Sequence, residues 1–397
     1  MPIRETKRGV ERTRLDHDCD VLVCGASFAG LAVAQELAGC GHRVLMIDRY
    51  AVGERQTSAC AMPTLWLQAL GLEHCERQTF DELLVHTPWA KSRWSLPWSF
   101  STFDYRELCA SLYERALSPE FEFETATVTG RDGSTVHTDR GELRSPLIVD
   151  GLGWRRVLSN DLTIQPPNAR LSRGLEVHPA GTGREMELWI DTRYIRSGYS
   201  WSFPAREEVR IGVGSFWPAH HVKEPTVRLS TDLGMPAVGY QGNWIPHQLR
   251  PAIEDSVFFV GDSAGHCLPL TAEGIRTALY FGLACGRELR AVLDGHRTRE
   301  QALARYSAFS DSHERKYQWM LNSQRVIGRL TPSRSVTWLA RTMENSRFCH
   351  WAFNRYMDIA PPSFVDGGPR KIVPCAPDRM QAEERAHVGG MAPTGTR

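Results

Sequence analysis

The sequence predicts an α/β fold in three parts: a discontinuous, Rossmann-like nucleotide-binding domain, a strand-rich substrate domain inserted into it, and a set of C-terminal helices. Three observations carry this expectation. Residues 19–49 run strand, Gly-rich turn, helix, strand, which is the order of a βαβ unit. Late in the chain a second apolar run, Val257-Phe258-Phe259-Val260, stops at Gly261-Asp262 and gives way to a helical pattern. Between them, residues 170–250 are rich in strand patterns. A chain of 397 residues exceeds one ordinary core, so a domain built from both ends around an insertion is the simplest arrangement.

The elements follow in order. Residues 1–17 are charged and aperiodic and are expected to form a flexible lead-in. "CDVLVCG" (19–25) is a β-rich run ending in glycine, "AGLAVAQELAGCG" (29–41) holds helix formers, and "HRVLMIDR" (42–49) is again a buried strand pattern. Residues 50–100 are mixed, with Trp89, Trp94 and Trp98 among prolines. "YRELCASLYERAL" (105–117) has the spacing of an amphipathic helix. Residues 121–151 alternate like a small antiparallel sheet that returns to a buried strand at Leu147-Ile148-Val149. "MELWID", "GYSWSFP" and "EEVRIGVGSF" are the clearest strands of the middle region. Residues 300–358 have a helical pattern with many aromatics, and the Pro/Gly-rich tail 361–397 is expected to be flexible. The expected domains are 18–165 with 251–295 for the nucleotide, 166–250 for the substrate with contributions from 60–100, and 296–360 for the helices.

Composition narrows the function. A formal net charge of +1 gives no field for nucleic acid, so no nucleic-acid partner is expected. The ten cysteines contain no C-x-x-C pair, so no metal site is expected. Scattered cysteines without a charged-then-apolar leader fit a reducing cytoplasm. No stretch approaches the roughly 18 uninterrupted apolar residues of a spanning helix, which leaves peripheral contact with a membrane open.

"VLVCGASFAGLAVA" carries Gly25, Ser27 and Gly30 at the spacing of G-x-G-x-x-G, with Ser in the middle position. Glycines allow a tight turn and close packing, and a helix N-terminus offers free N–H groups to a pyrophosphate. The Cβ of Ser27 should push the phosphate slightly outward. The motif follows a strand, opens a helix, and is followed by Asp48, 23 residues after Gly25, where an acid takes ribose hydroxyls. Ala34 keeps the helix close to the sheet. The competing reading is a Gly-rich turn in some other α/β protein. The loop alone does not separate NAD from FAD. The second Gly-Asp junction favours the longer cofactor, with Asp262 on the ribityl hydroxyls, Pro269 shaping a turn beside the ring, and the N–H groups of Glu273-Gly274-Ile275 facing its polar edge.

At these motifs the sequence resembles the geranylgeranyl reductase family, within the larger class of FAD enzymes of the p-hydroxybenzoate hydroxylase fold. The resemblance spans roughly residues 18–330 and rests on "GASFAG", Cys60 in "TSACAMPTLWLQALGL", Arg106 in "FDYRELCASL", "VDGLGWRRVL", "GYSWSFPAREEVRIGVG" and "VGDSAGHCLPLTAEGI". It implies FAD held by Gly25, Ser27, Phe28, Ala29, Gly30, Asp48, Arg49, Arg106, Gly261, Asp262, Pro269, Glu273, Gly274 and Ile275. It also implies reduction of isolated C=C bonds in a prenyl or other apolar polyene chain by hydride from reduced flavin. Electrons would come from NAD(P)H or a ferredoxin. Four positions depart from the family pattern: Ser27 for the central Gly, Ala272 for the Gly before Glu-Gly-Ile, Met62 for a small residue after Cys60, and "DGLGWRR" for Asp-Gly-Ala-x-Ser.

Individual residues carry two readings each. Cys60 is either a substrate-side or proton-delivering thiol, or a small buried apolar residue. Tyr199, Trp201 and Phe203 alternate along one strand and so share a face, lining either an apolar cavity or a sheet core. Arg106 pairs either with the pyrophosphate or with Asp104 or Glu107. His266 is either a proton donor or a structural residue. Trp319, Trp338, Trp351 and Phe353 suggest a core, a lid, or a membrane-touching face. Two other functions share the motifs. A flavin monooxygenase or halogenase has the same fold, and a halogenase needs a catalytic Lys, for which Lys91 is the one candidate in the expected region. A prenyl-binding escort would keep the fold without redox chemistry.

Overall fold

The computed structural model describes residues 13–15, 18–56, 58–160, 171–246, 248–330 and 334–367. Its elements begin with β1 (Val21–Cys24), α1 (Phe28–Leu37) and β2 (Val44–Asp48). Next come β3 (Ala61–Pro63), α2 (Thr64–Leu70), β4 (Glu76–His86), β5 (Lys91–Phe103) and α3 (Tyr105–Ala116). After β6 (Phe121–Thr125) come β7 (Val128–Asp132), β8 (Thr135–Thr138), β9 (Gly141–Arg144) and β10 (Leu147–Asp150). The middle region holds β11 (Leu171–Val177), β12 (Met186–Trp189), β13 (Gly198–Ala205), β14 (Glu208–Ser215), α4 (Lys223–Asp232) and β15 (Gln241–Pro246). The chain then forms β16 (Ile253–Glu254), β17 (Val257–Phe259), α5 (Ile275–Leu293), α6 (Arg299–Asp311), α7 (Glu314–Leu330), α8 (Arg334–Thr342) and α9 (Ser346–Met357).

The first sheet has the order β16-β17-β10-β1-β2-β6, and all its strands but β16 run parallel. A parallel sheet is covered on both faces, which explains the unbroken apolar runs of β1 and β17. The two ends of the chain meet where α5 packs on α1. A Cβ at Gly282 would lie 2.6 Å from the Ala29 carbonyl oxygen, and one at Gly286 2.7 Å from Glu36 Cβ, so only glycines allow this helix spacing. Arg287 adds an ion pair to Glu36 at 3.2 Å.

The second sheet has the order β15-β11-β14-β13-β12-β4-β5-β3 and joins the middle region to residues 61–103. The mixed segment 50–100 thus contains most of the two long strands β4 and β5, whose pattern is interrupted by bulges and by Pro97. One face of this sheet packs on α4 through Val177, Ile211, Val213 and Leu229. The other packs in part on α8 and α9 through Leu83, Val85, Ala340 and Cys349. The strands β7, β8 and β9 form a separate antiparallel sheet.

The expected flexible ends are shorter than the sequence predicted. Leu15 is buried and its N–H donates to the Arg140 carbonyl at 2.8 Å, so residues 13–15 are held by the third sheet's edge. Residues 362–367 form a short 3-10 helix, with Arg287 donating to the carbonyls of Phe364 and Val365. The other residues of the lead-in and tail lie outside the described residues. Among the described residues no helix is long and apolar enough to cross a membrane.

Candidate functional site

The C-terminal ends of β1, β2, β10 and β17 converge on one edge of the first sheet. That is where an open α/β sheet places its ligand. Gly25 follows β1 at φ +110°, and a Cβ there would lie 2.4 Å from the Gly151 carbonyl oxygen. At Gly30 a Cβ would lie 1.9 Å from the Gly25 carbonyl oxygen. Gly261 sits in the left-handed region at φ +60°, its virtual Cβ 2.9 Å from Ala29 Cβ. The two glycine junctions therefore touch, although more than half the chain separates them.

Asp48, at the end of β2, accepts N–H bonds from Ala26 at 2.8 Å and Tyr50 at 3.0 Å. It braces the glycine turn after β1. Burial pushes its carboxyl up from the ordinary value, and these N–H groups pull it back. Ser27 is the N-cap of α1 at φ −110°, a backbone conformation any residue adopts, so serine fits where the pattern has glycine. The N-termini of both α1 and α5 lack a side-chain cap bond, leaving first-turn N–H groups free for an anionic or carbonyl ligand.

Asp262 is half-buried at this edge, and its carboxylate has no hydrogen bond or ion pair among the described residues. Burial pushes its carboxyl up to about 6, against the pull of Arg250. A carboxylate with free lone pairs in a cleft suits sugar or ribityl hydroxyls. Arg106, exposed at the start of α3, is likewise unpaired among the described residues, because Asp104 and Glu107 both pair with Arg77. Arg49 lies over the Tyr50 ring at 5.1 Å. Phe28 and Ala29 are buried, and the Phe28 ring packs edge-on against Tyr105 at 5.4 Å.

The segment 267–274 is a closed turn. Leu268 N–H donates to the Glu273 carbonyl at 3.0 Å, and Ala272 N–H donates to the Leu268 carbonyl at 2.9 Å. Ala272 has φ +52°, which explains why glycine is the usual residue before Glu-Gly-Ile. The Pro269 carbonyl accepts from Gln324 Nε2 on α7 at 2.5 Å. Glu273 turns its side chain away from the turn's N–H groups. It holds Arg276 through two bonds of 2.9 and 2.8 Å and accepts from the Tyr356 hydroxyl. Arg276, fully buried, also donates to the Ala360 carbonyl at 2.9 Å.

Tyr199, Trp201 and Phe203 share a face of β13, and Tyr199 donates its hydroxyl to the Thr271 carbonyl in this turn. The pairings Tyr199↔Gly214 and Trp201↔Gly212 put glycines under the Trp201 ring: a Cβ at Gly212 would be 2.2 Å from Trp201 Cζ2 and one at Gly214 3.4 Å from Trp201 Cζ3. Trp201 donates to Glu176 at 3.2 Å, and Glu176 also binds the buried His178 at 2.9 Å. Cys60 is fully buried at φ +50°, with its thiol donating to the Ser58 carbonyl at 3.2 Å and its own carbonyl accepting from Arg210 at 3.1 Å. Burial pushes this thiol well above its ordinary value, so it is no thiolate.

His266 does not reach this cleft. Its ring is fully buried, stacked on Phe281 at 3.7 Å and bonded to Ser310 Oγ at 3.1 Å, and burial pushes it well below its ordinary value. It is a neutral packing residue between α5 and α6. Lys91 is also misplaced for the halogenase role. Trp201 pairs with Leu188, Leu188 with Val85, and Val85 with Ser92, so Ser92 shares the aromatic face and Lys91 points to the opposite one.

Several residues escaped sequence reasoning. Asp150 accepts from Leu152, Leu158 and Ser263, tying the turn after β10 to the second junction. Arg156, buried over Phe259 at 3.5 Å, donates to the Ser263 carbonyl at 2.9 Å. An acid ending an apolar strand before glycine, as in "LIVDG", was the available signal for Asp150, and Glu273-x-x-Arg276 at a helix start was the signal for Arg276. Among the described residues no group of His, Cys, Asp and Glu is placed to hold a metal ion.

No family model matches the chain. It is 23% identical over 334 residues to digeranylgeranylglycerophospholipid reductase 3 of Methanosphaera stadtmanae, covering 75% of this chain and 83% of that protein. The structure of a geranylgeranyl bacteriochlorophyll reductase-like protein from Thermoplasma acidophilum matches with a TM-score of 0.75 at 15% identity, over 88% of this chain and 98% of the other. PqsL, a probable FAD-dependent monooxygenase from Pseudomonas aeruginosa, matches with a TM-score of 0.62 at 18% identity, over 83% and 99%. The likeness to these reductases thus extends along most of the chain, and the fold is one shared with FAD-dependent enzymes. The glycine cradle, the uncapped helix ends and the free Asp262 carboxylate fit that cofactor.

Proposed function

We propose that this protein reduces isolated C=C bonds in the prenyl chain of a lipid. The observation that carries the reading is the shared face of Tyr199, Trp201 and Phe203, with the Trp201 ring laid on a glycine floor and Tyr199 bonded to the 267–274 turn. Bound FAD in its reduced form would supply a hydride to an alkene. The chain's part is to hold, orient and dry the substrate. Gly25, Gly30, Asp48, Arg106 and Asp262 would hold the nucleotide and ribityl portions of FAD, and the first-turn N–H groups of α5 would be available to its polar ring edge. Trp201 and Phe203 offer apolar surface to a polyene, and burial beside them excludes water. Cys60 and Tyr199 keep their protons at neutral pH, since burial pushes both groups up. Tyr199, bonded to the Thr271 carbonyl of the turn, is the group we assign to protonate the second carbon. NAD(P)H or a ferredoxin supplies electrons from outside the chain.

A digeranylgeranyl lipid is the substrate class named for the curated relative. The experiment is an anaerobic incubation of the reduced holoenzyme with a geranylgeranyl lipid, read by mass spectrometry. Gain of hydrogen pairs supports the reading. Product that forms only with oxygen, carrying an added oxygen or halogen, overturns it in favour of the monooxygenase or halogenase alternative. Because Lys91 lies on the opposite sheet face, Lys91→Ala is expected to leave turnover intact. Protein that cannot be reconstituted with FAD would instead point to a non-redox prenyl-binding escort.

A further inference from the structure

The α8–α9 hairpin has an inner and an outer side of opposite character. On the inner side, Trp94 donates to the Ala340 carbonyl at 2.9 Å, Phe353 packs edge-on against Trp94 and Trp98, and the Tyr356 hydroxyl binds Glu273 of the 267–274 turn. On the outer side, Trp338 is 70% exposed, Trp351 55% and Phe348 42%, with Leu339 also exposed. Phe348 and Trp351 stack at 5.7 Å, forming one apolar plate. Four large apolar side chains in water within 14 residues are not the scattered exposure expected of a free surface.

Charge says what covers them. Residues 334–357 hold four arginines, Arg334, Arg341, Arg347 and Arg355, against one acid, Glu344. All four arginines are exposed, and none of their guanidinium groups has an ion pair or hydrogen bond among the described residues. By contrast, Arg77, Arg93, Arg140, Arg276 and Arg287 each hold a carboxylate. We infer that the outer side of the α8–α9 hairpin docks on an anionic lipid bilayer. Tryptophan and phenylalanine sit at the boundary between headgroup and acyl chain, and arginine reaches the phosphates. A second copy of this chain is the weaker occupant. A two-fold contact would set this basic patch against itself.

The inference rests on the reading of the cleft as a lipid-chain site, and it adds a route. The surface that touches the bilayer is carried by the helix whose Tyr356 is bonded to the turn beside the cleft. A prenyl lipid would then pass from the bilayer under α8 and α9 without crossing water.

The test is co-sedimentation of the full-length holoenzyme with phosphatidylcholine vesicles, with and without phosphatidylglycerol, at low and high salt. Binding is expected only with phosphatidylglycerol and to weaken with salt. Trp338→Ser with Trp351→Ser should lower partitioning about tenfold or more. Arg341→Gln with Arg347→Gln should lower it by about fivefold per arginine. Both variants alter exposed side chains, so flavin content and thermal midpoint should stay at wild-type values. Three outcomes overturn the inference: wild type that ignores phosphatidylglycerol, variants that bind as wild type does, or a wild-type dimer that the tryptophan variant dissolves. Reduction of a detergent-dispersed prenyl lipid is measured in parallel. Reduction without vesicle binding fails the docking inference alone, and vesicle binding without reduction fails the proposed reaction alone.

Discussion

Arg276→Met is the substitution whose consequence follows most directly from the geometry. The Arg276 guanidinium is fully buried, donates to Glu273 at 2.9 and 2.8 Å, and lies over the Tyr356 ring at 4.5 Å. Burial pulls this group down, yet Glu273 and Tyr356 outweigh it and hold it above its ordinary value. Methionine fills much of the same volume but leaves the Glu273 carboxylate, 8% exposed, with only the Tyr356 hydroxyl. The Ala360 carbonyl keeps a partner in Trp66 Nε1 at 3.0 Å, so the cost concentrates on Glu273. Removing one partner of a buried ion pair costs about 3–5 kcal/mol. Urea unfolding of the cofactor-free protein should show a loss of that size, together with weaker FAD retention because the 267–274 turn loses its anchor on α9. Glu273→Gln combined with Arg276→Met removes the stranded charge, and should recover about 1–3 kcal/mol of the loss. A single variant within about 1 kcal/mol of wild type, or a double variant whose losses simply add, would refute the reasoning.

Three further outcomes are expected. Ala272→Gly should raise stability by up to about 1 kcal/mol, because relief of a left-handed alanine worth about 1–2 kcal/mol exceeds the added freedom of the unfolded chain. A lower thermal midpoint would count against it. Asp262 has its folded-state carboxyl pushed up to about 6, above its value of 3.8 in an unfolded chain. The folded protein therefore holds that proton longer, and the cofactor-free protein should lose stability as pH rises from about 4 to about 6. Asp262→Asn should flatten that slope in pH-dependent melts and weaken FAD binding about tenfold or more. Cys60 should resist iodoacetamide in the native protein at neutral pH and label only on unfolding. Labelling at the rate of a free thiol would contradict its burial.

The strand–glycine–helix order at Gly25 and Gly30, Asp48 ending β2, and the late Gly261-Asp262 turn were legible because each is a local pattern with a local cause. Tight turns need glycine, and parallel strands covered on both faces need unbroken apolar runs. Segment 50–100 was less legible, since the β4–β5 pair is bulged, β5 carries Pro97, and both strands are held by partners on either side. His266 misled for a related reason. Its place after the Gly-Asp turn suggests a cleft residue, but the turn of Gly265 at φ +66° sends it between α5 and α6.

Period, turn chemistry and composition were therefore enough to predict the α/β scaffold and its two strand–glycine junctions. They act between residues close in sequence, so one chain without its coordinates carries them. Pairings across the chain were not readable in this way: Gly261 against Ala29, Glu273 with Tyr356, Tyr199 on the Thr271 carbonyl, Lys91 on the face opposite Trp201. Each depends on which surfaces meet when the chain folds, and sheet register together with helix packing sets that.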